Sequence, residues 1–342
     1  MIHYRRYATV VPAFSFSPAN TMITHFRYTL LSLAFPLLLA LVLLSLVITG
    51  CGSSGGGDNT APEPGNAKAA LEADIKNDLN IIATSVDFTL YVKSGNGSTF
   101  LHSTGSSSES VAYQSASTSK LVSAVVILSL VSDGVLSLED NPQKYIATWP
   151  STGNLSLIKL KHLLNFTSGL TKEALCINLP GADFEDCANT IATKNNASPT
   201  PGSTFYYNSA HLQIAGLMAI KASGNTGWSD VFTQFQAKTG LLLNARYDLP
   251  SESNPRLAGG MHWNASDYLA FLDALYKRTI LNDALIDQLF ADQIAGASIG
   301  LSPAIDGLGE DWHYAYGNWL ECRASTYNCS QVTRVSSPGS YG

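Results

Sequence analysis

Apolar residues occupy nearly every position from Leu121 to Val131, a stretch broken only by small residues and serines. That pattern predicts a helix beginning near Ser117 and buried on all sides, not a helix with one wet face. Upstream, residues 67–84 carry apolar positions at helical spacing. Residues 87–105 alternate as two strands around a Gly-Asn-Gly turn. Downstream, 131–150 is rich in turn residues, and 160–170 predicts a short helix stopped at Gly169. Residues 171–200 lack periodicity and hold two cysteines, which predicts a pinned excursion. Mostly helical sequence follows to about Phe290, and strand-like segments return at 312–323 and 330–342. Strands near both ends with helices between them predict an α/β (α+β) fold. Its antiparallel sheet is built from both termini, flanked by helices, and an all-helical lobe is inserted. A cleft between sheet and lobe is the natural place for a site.

The N-terminus stands apart from this pattern. Arg27 precedes a long apolar run that ends in small residues before Cys51. Residues 1–50 are expected to be a secretory signal, with Met22 an alternative start. The segment Ile48–Cys51, "ITGC", resembles the lipobox of bacterial lipoproteins, which implies lipidation at Cys51. An uncleaved membrane helix is the competing reading, since about 20 apolar residues suffice to span a bilayer. The Gly/Ser-rich residues 51–66 are then a flexible, lipid-anchored linker, and 67–342 is the folded domain. The expected location is the cell envelope, with the domain facing the periplasm or the exterior.

Composition narrows the function classes. The chain has 342 residues, a formal charge of −6 and 13% charged residues. No basic stripe for nucleic acid is present, and a monomer is expected. Beyond Cys51, the cysteines are Cys176, Cys187, Cys322 and Cys329. Two close pairs in an exported chain read as two local disulfides, although four cysteines allow three connectivities. No histidine stands at ligand spacing near them, so no metal is expected.

The chemistry gathers around Ser117 and Lys120, three residues apart and therefore on one face of a helix. A lysine leading into an apolar wall is unfavourable unless it is used. Kept neutral, it can take the proton of Ser117 and make the hydroxyl a nucleophile. Bringing its pKa from about 10.4 to about 7 costs about 4–5 kcal/mol, which burial and a nearby cation or donor can supply. The helix N-terminus adds donors for a developing alkoxide. The bland alternative is a helix cap with a snorkelling lysine. A second Ser-x-x-Lys, Ser156 to Lys159, opens no buried helix and reads as a chance match. Outside the Gly/Ser linker no Gly-x-Ser-x-Gly elbow occurs, no His-x-x-x-His spacing is found, and His162 reads as a packing residue.

"SASTSK", "GVLSLEDNPQKYI", "IKLKHLLNFTSGL", "PGSTFYYNSAHLQIAG", "RLAGGMHWNASDYLAFLDALY" and "SSPGSYG" occur in that order. Together they resemble the serine β-lactamase-related family, the class C β-lactamases, D-alanyl-D-alanine carboxypeptidases and related esterases, over roughly Ala67 to Gly342. The resemblance implies a β-lactamase/transpeptidase-like fold and an acyl-enzyme on Ser117, with Lys120 as base and no cofactor. It implies a second motif, Tyr-x-Asn, whose tyrosine falls six residues after Pro201, at Tyr207. The motif then reads Tyr-x-Ser with Ser209, while a literal Tyr-x-Asn begins at Tyr206. The phenol, near 10, and the amine are matched closely enough to titrate as a pair.

The third motif is implied at Ser337, Gly339 and Ser340. Ser337 stands where relatives carry a cation or imidazole, and the Ser340 and Ser117 amides form the oxyanion hole. Loss of that cation shifts the expected substrate from β-lactams toward esters and other small-molecule or peptide acyl compounds. Relatives continue past the third motif, so the chain is expected to be truncated at its C-terminus. The competing class is a non-catalytic envelope protein that keeps the fold to bind cell-wall fragments.

Overall fold

The computed structural model describes residues 64–82, 86–196, 198–322, 326 and 334–339. The expected signal, Cys51, Cys329 and Ser340 lie outside the described residues. Residues 64–82 belong to a separate unit and form one helix, α1 (Pro64–Ile81), three residues earlier at each end than the spacing predicts. No described helix is long and apolar enough to cross a membrane.

The larger unit opens with the predicted hairpin, β1 (Thr89–Lys93) and β2 (Thr99–Ser103), in antiparallel register Tyr91↔Leu101. After β3 (Tyr113–Gln114), a single 3-10 turn, Ala116–Thr118, runs straight into α2 (Ser119–Ser132). Every residue of α2 from Ser119 to Ser129 is buried, so the unbroken apolar run is a central core helix. The short α3 (Leu160–Leu164) ends at Asn165 and not at Gly169. Gly169 instead lets the chain pass the Pro199 carbonyl, which a Cβ there would meet at 2.4 Å. The 171–200 excursion holds a 3-10 turn, Leu175–Asn178, and α4 (Phe184–Lys194), capped by the Asp183 carboxylate on the Glu185 and Asp186 amides. Cys176 and Cys187 are disulfide-bonded across it. Cys322 is buried.

After β4 (Thr204–Tyr206) come α5 (Ala210–Ala222) and α6 (Trp228–Thr239). Two strands follow that no periodicity announced, β5 (Arg246–Tyr247) and β6 (Met261–Trp263). Next are α7 (Ala265–Tyr276), α8 (Asp283–Leu289), β7 (Ser298–Leu301) and α9 (Pro303–Leu308). The chain closes with β8 (His313–Tyr314), β9 (Trp319–Glu321) and β10 (Arg334–Ser336).

Among the described residues the β structure is several small ladders. The β1–β2 hairpin from the N-terminal side and the antiparallel β10-β9-β8 from the C-terminal side supply the two ends expected from the sequence. The antiparallel β3-β6-β5 sheet and a parallel β4–β7 pair are additions. In β3-β6-β5, the Ser115 amide donates to the Met261 carbonyl at 2.8 Å. This sheet therefore holds the chain just ahead of Ser117. Mixed helices with small, mostly antiparallel sheets make this the predicted α/β class.

Candidate active site

Ser117 lies on the 3-10 turn between β3 and α2. The residue before it, Ala116, has φ of 45°, a left-handed conformation that costs a non-glycine residue about 1–2 kcal/mol and that surrounding contacts must enforce. Two glycines supply close contacts from either side. At Gly339 a Cβ would stand 2.3 Å from the Ser115 carbonyl and 2.8 Å from Thr118 Oγ1. At Gly317, in the β8–β9 turn with φ of 78°, it would stand 2.5 Å from the Lys120 carbonyl. Only glycine lets these two backbones approach the turn so closely. The Thr118 hydroxyl donates to the Ser337 carbonyl at 3.1 Å, joining the turn to the third motif.

Lys120 points inward. Its residue is 4% exposed, which rules out the snorkelling alternative. Nζ lies 2.8 Å from Ser117 Oγ, donates to the Ala258 carbonyl at 2.7 Å, and sits 4.7 Å from the centre of the Tyr207 ring. The Ala258 carbonyl is brought there because the Ser123 hydroxyl of α2 donates to the neighbouring Leu257 carbonyl at 2.7 Å. Burial lowers the amine to about 7; the Glu173 carboxylate opposes that fall and the Arg256 guanidinium adds to it.

Tyr207 is the tyrosine that meets this pair. It follows β4, donates its amide to the Leu301 carbonyl at 3.1 Å, and its ring packs on Phe166, Tyr314 and Trp319. Burial raises the phenol to about 12, and the polar Ser117 hydroxyl and Trp319 indole beside it offset part of the rise. The near-match of amine and phenol expected from the sequence is thus lost. Burial disfavours both charged forms and drives the two groups apart, so near neutral pH the phenol keeps its proton while the amine is the group that titrates.

The literal Tyr-x-Asn does other work. Asn208 is buried, donates to the Leu170 carbonyl at 2.6 Å and accepts from the Ala210 amide at 2.9 Å, so it ties the start of α5 to the chain beyond α3. Tyr206 offers its carbonyl to His211 Nε2 at 2.8 Å. That carbonyl can only accept, so Nε2 carries the proton and Nδ1 accepts from Ser168 at 2.8 Å. His211 stacks on Phe166, and burial lowers it to about 4. It is a neutral histidine supporting the aromatic group beneath Tyr207.

The remaining sequence-predicted residues are placed as follows. Ser209 is half-buried, and its amide donates to Glu173 Oε1 at 2.5 Å. Ser337 is 5% exposed and neighbours the Tyr268 phenol, while Gly339 lies against the Ser117 turn. The chance copy is confirmed as one. The Ser156 hydroxyl donates to the Gly153 carbonyl within its own turn, and Lys159 pairs with the exposed Glu139. His162 accepts the Lys159 amide at 3.2 Å, a local cap. No cluster of metal-ligating side chains occurs among the described residues. Sequence reasoning missed Ala258, Trp319 and Glu173. The first acts through its backbone, and the other two are brought to the site by contacts between segments far apart in the chain.

A hydroxyl at a strained turn, a buried amine within hydrogen-bond reach and a neutral phenol beside both form a constellation for acyl transfer. The Beta-lactamase family model matches residues 90–330, and the chain belongs to the β-lactamase family of serine hydrolases. It is similar over 79% of its length to a protein from Bacteroides dorei DSM 17855 described as a candidate beta-lactamase, at 26% identity, with a TM-score of 0.61 over 83% of that chain. A penicillin-binding protein from Bacillus halodurans matches at 20% identity and TM-score 0.56, over 74% of this chain and 84% of its own. EstCE1, a hydrolase with promiscuous acyltransferase activity, matches at 16% and 0.59, over 74% and 82%. The last two likenesses show the fold alone.

Proposed function

We propose that this protein is a serine hydrolase that cleaves an ester or amide through a covalent acyl-enzyme on Ser117. The observation carrying the proposal is the 2.8 Å contact between Lys120 Nζ and Ser117 Oγ, made by an amine that burial has lowered to about 7. The neutral amine accepts the Ser117 proton as Oγ bonds to the substrate carbonyl carbon. Tyr207, protonated at neutral pH, gives its proton to the leaving oxygen or nitrogen as the scissile bond breaks, and Lys120 restores it. A water then attacks the acyl carbon with Lys120 again as base, which frees the acid and regenerates Ser117. The Ser117 amide is the expected oxyanion donor, joined by that of Ser340. Anchoring to the cell envelope through a lipid on Cys51 belongs to the same proposal.

An alkyl fluorophosphonate tests the mechanism. The protein should be labelled on Ser117, with a rate that rises with pH through about 7 as Lys120 loses its proton. Ser117→Ala should abolish labelling and Lys120→Met should slow it at least a hundredfold. Equal labelling of the protein and its Ser117→Ala variant would remove the nucleophile. Binding of cell-wall fragments without any turnover would favour the non-catalytic reading.

A further inference from the structure

The site carries a carboxylate that the mechanism leaves unused. Glu173 is exposed and lies three residues before the Cys176–Cys187 disulfide. One of its oxygens accepts the amide of Ser209, two residues beyond Tyr207. Its other oxygen has no partner among the described residues. Glu173 is also an anion whose field Lys120 feels, opposed by the Arg256 guanidinium. Arg256 is occupied with the Asn178 side chain at 2.7 Å, on the same pinned loop. The carboxylate is therefore within electrostatic range of the base and fixed to the backbone of the second motif.

We propose that Glu173 is a specificity-determining residue of the Ser117 site. Its free oxygen selects acyl donors whose acyl portion presents a hydrogen-bond donor, an ammonium group above all. An ionised carboxylate only accepts hydrogen bonds, so it pairs with N–H and O–H groups and repels carbonyl and carboxylate oxygens. Held by one oxygen, it has lost rotational freedom before substrate arrives, which strengthens what the other can bind. This inference rests on the hydrolase reading above.

The test compares hydrolysis of alanine methyl ester, in both enantiomers, with that of methyl propionate. They differ by one ammonium group. Ser117→Ala serves as the blank. The intact protein should favour at least one alanine ester over the propionate by tenfold or more in kcat/KM. Glu173→Gln should lower that ratio at least tenfold, chiefly through KM for the alanine ester. It should also move the acid limb of the pH profile to lower pH, because the anion that resists the fall of the Lys120 pKa is gone. Glu173→Asp should restore part of the preference. A purely structural Glu173 would instead lower both rates together and leave ratio and limb in place, which overturns the inference while Ser117-dependent turnover preserves the hydrolase reading. Turnover independent of Ser117 would overturn both.

Discussion

Replacing Lys120 with methionine should abolish function and change stability in opposite directions at the two ends of the pH scale. The folded amine loses its proton near pH 7, against an ordinary value of 10.5. Each pH unit between those values is worth about 1.4 kcal/mol, so housing this lysine costs the fold about 5 kcal/mol at and below pH 7. The sign follows from proton counts. Between about 7 and 10.5 the unfolded chain holds a proton that the folded chain has lost, so stability rises with pH across that window. Methionine fills similar space and carries no such cost, but it leaves the Ala258 carbonyl without the 2.7 Å donor it has now, a loss of about 1–3 kcal/mol at every pH. Lys120→Met should therefore be more stable than the parent by about 2–4 kcal/mol at pH 6. It should be less stable by about 1–3 kcal/mol at pH 10.5, where the lysine no longer costs anything. Urea melts of both proteins from pH 6 to 10.5 measure this directly. The two stability curves should cross on the alkaline side of neutrality. Parallel curves would mean that the folded amine keeps an ordinary affinity for its proton, and the base assigned to Ser117 would be lost with it.

Other variants probe neighbouring parts of the argument. Tyr207→Phe should slow hydrolysis of alkyl esters or amides by a hundredfold or more while affecting p-nitrophenyl esters far less, because a good leaving group needs no proton; an equal loss on both would assign the phenol to packing. Gly339→Ala should destroy fluorophosphonate labelling and lower the melting temperature, since its methyl would stand 2.3 Å from the Ser115 carbonyl; retained labelling would show that this strand can move away. Changing Cys176 and Cys187 together to serine should cost about 3 kcal/mol in chemical denaturation, the chain-entropy value for so short a loop. Ser156→Ala should leave labelling and stability as they are, whereas any loss of labelling would reopen the second Ser-x-x-Lys.

Much of the nucleophile region was legible because one helix breaks an elementary rule. A lysine before eleven positions of nearly unrelieved apolar sequence has to be buried, and a buried lysine has to be used or paired. The choice of Tyr207 over Tyr206 rested on the offset from Pro201, and the geometry agrees: Tyr207 lies by the amine while Asn208 ties down α5. Other features left no trace in the pattern. β3, β5 and β6 are two or three residues long, too short for alternation to register. The left-handed Ala116 has no glycine or asparagine to announce it. The amine and phenol looked matched because reference values ignore burial, and the phenol's burial is set by the packing of Phe166, Tyr314 and Trp319 around it. Glu173 meets Ser209 through a contact spanning 36 residues, which no local pattern encodes.

The uninterrupted burial of α2 from Ser119 to Ser129 also divides the molecule by its tolerance for change. A helix with no wet face offers selection almost no neutral substitutions, since each methyl gained or lost is felt by a neighbour. The cross-linked excursion at 171–200 has the opposite character, with exposed positions such as Leu175 and Leu179 held at fixed places by a covalent bond. Directed evolution toward new substrates should accumulate its changes in that excursion and leave the core helix as it is.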